Sequence, residues 1–459
     1  MIAPLPLADG FPVFTEDDWR TAVAKMRGRA AHASAASAEP DVAITGLFPR
    51  RAGARAISGR TAGAPWQIIQ RVDAADATGV AAAIADEAAG GANGVEISFA
   101  GSLFPLGRQL PVEAARTIAA ALAVSLPDRF ELRVDTGGSL AVAEAFADFA
   151  GARLGRLVFV FDPIAAVAVR GPSAVSPVDA KTYAAAAATM LSTRSIDGAA
   201  VVADGRPWHA GGAAEEQELA ATLATFVAHL RALQSPERIE IVLAADADQF
   251  RGIAKFRAMR LLLARVAEIA ALASAPTRIH GETAWRMLGA RDPEMNILRA
   301  TSAAFAAAVG GADSVAVLPF DALAPDLGNH GRRLARNTQM ILADEAHIFR
   351  VGDPAAGSGA IEALTAGFAE GAWKRFQAIE AAGGIVAAIA GDTLLREIAE
   401  VREARIARMA AHDLVMVGVN AYDRDGGRPA PTRTRRTPIR RAETLVFKRL
   451  AEPFEARSP

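Results

Sequence analysis

The sequence predicts an α/β protein built on a (β/α)8 TIM barrel, with an N-terminal extension, C-terminal helices and an extended tail. Three observations predict it. From residue 65 onward, eight short β-rich runs alternate with Ala-rich helical patterns. The runs are nearly continuous in apolar residues, the pattern of parallel strands covered by helices. The turn after the first run reads RVDAADATG, without the GxGxxG that usually opens an open doubly wound sheet.

Taken in order, residues 1–60 read as an N-terminal extension or interface arm. It holds one amphipathic stretch, TEDDWRTAVAKMRGRAAHA, with Thr15 as N-cap and acids in the first turn. A Ser/Ala/Pro/Gly/Arg-rich connector follows, suited to wrapping a surface. Residues 61–350 form the barrel, with strands expected over 65–72, 94–100, 130–135, 156–162, 198–204, 239–246, 277–283 and 312–321. The helical stretches between them include PVEAARTIAAAL, AVAEAFADFA, DAKTYAAAAATML and EEQELAATLATFVAHLRAL. Residues 351–422 add two or three helices. Residues 423–459 form a basic, proline-rich, extended tail, read as a subunit-wrapping arm because aromatics for base stacking are nearly missing.

Composition narrows the function classes. Cysteine is absent, which removes disulfides, thiolate metal sites and thiol nucleophiles. The 50 basic residues balance 51 acidic ones, which argues against nucleic acid as a partner. No run approaches the roughly 18 uncharged apolar residues of a membrane span, and the start lacks the basic and apolar regions of a secretory signal. The expected location is cytoplasmic, with no membrane contact.

Barrel chemistry sits at the C-terminal ends of strands. Those positions hold Arg71 and Asp73, Ser102, Asp135, Asp162, Asp204, Asp246 with Asp248, and Asp321. Aspartate is also a favoured N-cap, and that reading covers most of them. Trp208 and His209 fall in a loop, DGRPWHAGG, between the fifth strand and the next helix. His280 and Glu282 could join His209 as a two-histidine, one-carboxylate metal triad, but nothing in the sequence brings them together, and no metal is expected. No GxSxG elbow, P-loop, HExxH pair or kinase signature occurs. These residues alone leave open an acyl- or sugar-binding barrel and a degenerate subunit.

The last third is more specific. DPEMNILRATSAAFAAAVGGADSVAVLPFD, LARNTQMILADEAHIFRVGDPAAGSGAIEALT, AWKRFQAIEAAGGIVAAI and VGVNAY follow in unbroken order. With PWHAGGAAEEQELA and KFRAMRLLLARV, they resemble the substrate-binding barrel of methylmalonyl-CoA mutase and related adenosylcobalamin-dependent acyl-CoA mutases. The resemblance covers residues 200–422 well and the first four barrel units loosely.

It implies site roles position by position. Trp208 and His209 match an aromatic–His pair beside the substrate thioester. Gln339 is retained, and Glu362 resembles the residue that contacts the adenosyl ribose. The departures are larger. The first-strand region reads PWQIIQRV, without the family's tyrosine; the only tyrosines are Tyr183 and Tyr422. A polar thioester-positioning block before strand 5 is replaced by AKTYAAAAATMLSTRS, and a His-Thr-Asn after strand 8 by Leu318, Pro319 and Phe320. The aromatics paired with Glu362 are replaced by Gly359 and Ala360. Residues 423–459 contain no histidine to ligate cobalt, and no flavodoxin-like cobalamin-binding domain is expected.

The resemblance therefore implies a small, non-catalytic β subunit of a heterodimeric mutase that interconverts (R)-methylmalonyl-CoA and succinyl-CoA, a step of propionate metabolism. Its partner would be a catalytic α subunit, which would bind the adenosylcobalamin; this chain would bind none. No catalytic residue is expected here, His209, Gln339 and Glu362 being relics. Two alternatives stay open: the substrate chain of a split mutase with a separate cobalamin subunit, and a free-standing acyl-CoA-binding or assembly protein.

Overall fold

The computed structural model describes residues 10, 12–27, 47–57, 59–74, 76–103, 109–150, 154–171, 177–272, 277–324, 328–422 and 444–455. Residues 28–46, the end of the expected amphipathic stretch and the first part of the connector, and residues 423–443, the first part of the tail, lie outside the described residues.

The chain divides into two units, Met1–Phe48 and Pro49–Pro459. In the first, α1 spans Glu16–Arg27. Its start is fixed locally, since Asp18 N donates to Thr15 Oγ1 (3.2 Å) and Thr15 N donates to Asp18 Oδ2 (2.8 Å). That reciprocal pair, with an acidic first turn, satisfies donors the helix leaves open.

The second unit is the barrel. Its strands are β1 (Gln67–Arg71), β2 (Gly94–Ser98), β3 (Glu131–Asp135), β4 (Arg156–Phe159), β5 in two pieces (Gly198–Ala199 and Val201–Asp204), β6 (Ile239–Ala245), β7 (Ile279–Thr283) and β8 (Ser314–Ala316). Every pairing is parallel. β5 is interrupted at Ala200, whose N–H turns to Arg238 O (2.8 Å), so the strand's first half pairs with β4 and its second with β6. The ring closes there, and the eight expected strands are the eight observed.

Helices α2 (Ala77–Ala89), α3 (Ala115–Ser125) and α4 (Leu140–Phe149) follow the first three strands. After β4 come two helices, α5 (Pro163–Arg170) and α6 (Pro177–Thr193), where the sequence pattern predicts one. The extra one, α5, starts because Asp162 accepts from Ile164 N and Ala165 N, and Pro163 presets the first turn. α7 (Arg206–Gly211), α8 (Glu215–Leu233), α9 (Gln249–Ile269), α10 (Met295–Val309) and α11 (Asn329–Met340) complete the ring. Asp248 caps α9, as its strand-end position predicts, and Ser139 caps α4. α12 (Gly359–Ala381) packs across α8 and α9, and α13 (Ile385–Ala390) and α14 (Thr393–Ala410) follow. Residues 444–455 return to the barrel as an extended segment ending in one turn, α15 (Glu452–Glu455). Among the described residues, no helix is long and apolar enough to cross a membrane.

Candidate functional site

The barrel's ligand face is built around α7, which places Trp208 and His209 in a short helix rather than the loop the sequence suggests. The Pro and Gly that read as loop punctuation act as helix punctuation. Pro207 sits in the first turn, and Gly212 closes the helix in the left-handed region (φ 111°), where glycine carries no steric penalty. All six residues of α7 are buried.

His209 is 2% exposed, and its Nε2 lies 3.1 Å from Asp246 Oδ2, close but poorly aligned for a hydrogen bond. Asp246 directly follows β6. Arg286, after β7, donates to Asp246 Oδ2 (2.9 Å) and to the carbonyls of Ala213 (3.0 Å) and His209 (3.3 Å). Burial and the neighbouring Arg286 guanidinium push the His209 pKa down, so the ring is held neutral. Burial opposes ionisation of Asp246, but Arg286 and His209 outweigh it and hold the carboxyl well below the usual range. The arrangement is a neutral imidazole beside a carboxylate already satisfied by an arginine. Nε2, the nitrogen that faces Asp246, is turned into the protein and is not the one a general base presents to a substrate proton.

The barrel interior is charged, which near-continuous apolar strands do not suggest. β3 alternates Glu131, Arg133 and Asp135 inward with Leu132 and Val134 outward, the two-residue period of a strand. Arg133, fully buried, contacts Glu240 (2.5 Å), Glu131 (3.1 Å) and Glu96 (3.2 Å). Nearer the mouth, Glu282 pairs with Arg71 (2.6 Å) and Arg206 (3.1 Å), and Arg206 also holds Asp204 (2.8 Å). Burial pushes Glu96 up, but Arg71, Arg206 and Arg133 together hold it down to about 2. Burial pushes Asp135 up to about 6 despite hydrogen bonds from Ser102 and Gly137 N. Opposite charges thus neutralise one another along the axis, as buried ions must. The sequence reading placed Arg71, Asp135, Asp204 and Glu282 near the mouth and missed Glu96, Arg133, Arg206 and Glu240. The available signal was charge at alternate positions in GVEIS and ELRVD.

The other expected site residues lie in separate networks. Gln339 Oε1 accepts from Trp66 Nε1 (3.0 Å), beside the N-terminal end of β1 and so opposite the ligand face. Glu362 accepts from Arg257 Nη2 (2.8 Å) and Gly357 N (3.0 Å), in a cluster where Arg257 also holds Asp353 (3.0 Å) and Thr365 (3.0 Å). His209, Gln339 and Glu362 share no partner. The metal triad is likewise not assembled. His280 Nδ1 meets Ser314 Oγ (2.8 Å) inside the barrel and Glu282 is taken by arginines, while His209 faces Asp246. Burial and the surrounding arginines, Arg133 first, keep His280 neutral. Among the described residues, no group of three or more His, Asp or Glu is placed to hold a metal ion.

A family model described as methylmalonyl-CoA mutase matches residues 140–457. The chain is 44% identical over 256 residues to a Mycobacterium tuberculosis (strain ATCC 25618 / H37Rv) protein named "Probable methylmalonyl-CoA mutase small subunit", covering 53% of this chain and 41% of that one. It is 43% identical over 235 residues to the "Methylmalonyl-CoA mutase small subunit" of Streptomyces virginiae, covering 49% and 38%. With the protein of that name from Propionibacterium freudenreichii subsp. shermanii, identity is 35% over 277 residues, covering 58% and 43%. The matches thus span less than half the length of these relatives. The family match extends over more than two thirds of the sequence, from α4 through strands β4 to β8, the α7 site and the segment that returns to it; this chain belongs to the methylmalonyl-CoA mutase family.

Proposed function

We propose that this chain is the small, non-catalytic subunit of a heterodimeric, adenosylcobalamin-dependent methylmalonyl-CoA mutase. In this reading a catalytic α subunit interconverts (R)-methylmalonyl-CoA and succinyl-CoA, and this chain supports it. Residues 1–60 and 423–443 serve as interface arms, before the barrel (61–350) and after the C-terminal helices (351–422) in the chain, while residues 444–455 pack on this chain's own barrel.

The observation that carries the reading is the charged interior. Arg71, Glu96, Arg133, Arg206, Glu240 and Glu282 are all buried and spend their charge on one another. A barrel that rearranges a thioester needs polar groups free to meet the reacting atoms at its mouth. Here His209 at that mouth is buried against Asp246, and Leu318 beyond β8 is buried and apolar. Adenosylcobalamin supplies radical chemistry where it binds, but these mouth residues do not fit it. His209, Gln339 and Glu362 are structural, each fixing a local contact.

The test is purification of the chain alone and with the catalytic chain of a mutase, followed by mutase assay with adenosylcobalamin. The expected result is co-purification, with turnover only in the presence of the catalytic chain. Turnover by this chain with just a separate cobalamin-binding protein would establish the split-mutase reading instead. Failure to associate with any mutase chain would favour a free-standing acyl-CoA-binding or assembly protein.

A further inference from the structure

The ligand face is covered by this chain's own C-terminal segment. Along residues 444–451 burial alternates: Leu445, Phe447, Arg449 and Ala451 are buried, and the residues between them are half-buried. That two-residue period is the mark of an extended segment with one face turned inward.

Backbone hydrogen bonds fix where it lies. Leu445 N donates to Ala168 O (2.7 Å) in α5, Lys448 N to Ala210 O (3.0 Å) in α7, and Leu450 N to Arg286 O (3.1 Å) after β7. Arg449 Nη1 donates to Leu288 O (2.9 Å), and Glu455 Oε1 accepts from Ala290 N (2.5 Å). Each of these elements follows the C-terminal end of a strand: β4, β5 or β7. The segment therefore runs along the rim of the face where barrels bind ligands, directly over the helix that carries His209.

Two features hold it. Leu445 seats against Gly211, where an added Cβ would come within 2.5 Å of Leu445 Cδ1, so a larger residue there would have to displace the Leu445 side chain. Arg449 closes a latch with Glu455 (2.7 Å) and Glu452 (3.5 Å). Beneath, Arg286 is shared: its carbonyl receives the strap while its guanidinium holds Asp246 and the carbonyls of His209 and Ala213. Strap and histidine site are thus one connected structure.

We propose that residues 444–455 are an intrachain strap that seals the β4-to-β7 half of the ligand face. Leu445 and Arg449 are its fastenings, and a coenzyme A thioester or any other ligand can reach His209 only when the strap is displaced. The proposal goes beyond the assignment as a small subunit, and its test reads access rather than turnover, so either can fail alone.

The test uses the full chain carrying Leu445→Ser with Arg449→Gln. Release is read by trypsin cleavage after Lys448. Exposure of His209 is read by diethylpyrocarbonate labelling, which attacks a neutral imidazole, with the exposed His330, His347 and His412 as internal references. In the unaltered chain His209 should label at least a hundredfold more slowly than the references. In the double variant, cleavage after Lys448 should appear and His209 labelling should rise at least tenfold, with far-UV circular dichroism unchanged. Cleavage without His209 labelling would overturn the proposal, because α7 would then be sealed by its other neighbours. No change in either would overturn it too, because the strap would not be fastened as stated. Should the double variant fail to fold, Leu445→Ala alone carries the same two readouts.

Discussion

Replacing Arg133 with methionine tests whether the charged interior holds the barrel together. The side chain has no exposure, and its loss removes contacts at 2.5 Å to Glu240, 3.1 Å to Glu131 and 3.2 Å to Glu96. Removing one partner of a buried ion pair costs about 3–5 kcal/mol, because the survivor stays buried and unpaired. The survivors here are not stranded. Glu240 keeps Arg156 (3.4 Å), Glu96 keeps Arg71 (3.3 Å), and Glu131 keeps Arg278 (3.5 Å). The expected loss is therefore at the low end, about 3 kcal/mol. With a urea dependence of about 3 kcal/mol per molar, the midpoint should fall by about 1 M.

The pH dependence supplies the sharper check. Glu96 is held down to about 2 in the folded chain, below its unfolded value. Its contribution is present above the unfolded value and is lost as pH falls toward about 2. Without Arg133 the folded-state value rises, so the gap between the two proteins should be widest at pH 7 and narrower at pH 4. Urea unfolding followed by circular dichroism at both pH values measures it. A midpoint shift under about 0.3 M at pH 7, or an equal shift at both pH values, would refute the reasoning.

Three further outcomes are expected. His209→Ala should leave the kcat of an assembled mutase within tenfold; a larger loss with assembly intact, more than about 1.4 kcal/mol of barrier, would make the residue catalytic. Asp135, raised to about 6 by burial, holds a proton in the folded chain where the unfolded chain has released it. Its stabilisation is complete below about pH 4 and lost as pH rises through about 6, so Asp135→Asn should flatten the thermal midpoint between those values, and an unchanged slope counts against it. Gly198→Ala should lower the melting temperature by several degrees. Its φ of 155° and a Cβ placed 1.7 Å from Leu157 O conflict with the β4–β5 pairing, a cost of roughly 2 kcal/mol or more; a melting point matching the parent would show that the strand pairing yields without cost.

The sequence by itself determined the features whose causes are local. Eight strands were legible because each is a short β-rich run bounded by turns, and the caps at Thr15, Asp162 and Asp248 act within three residues of their targets. α5 escaped because PIAAVAVR is too short and too apolar for its period to tell helix from strand. α7 escaped because Pro207 and Gly212 punctuate loops and short helices alike. The order of motifs from DPEMNILRA to VGVNAY marked the family.

Only the tertiary structure decided what the charged residues do. Glu96 and Arg133 meet across neighbouring strands and Arg71 and Glu282 across the β8 strand between theirs, but Arg133 and Glu240 meet only because the ring closes. Whether Glu131, Arg133 and Asp135 face inward or outward is set by that closure, since a strand's alternation alone does not choose the face. Packing gives His209, Gln339 and Glu362 three separate sets of partners. His209 lies under a strap joined by contacts across more than 230 residues of sequence, from Lys448 back to Ala210. Long-range pairings of this kind carry no local signature, because the residues that satisfy one another are selected by the fold rather than by their neighbours in the chain.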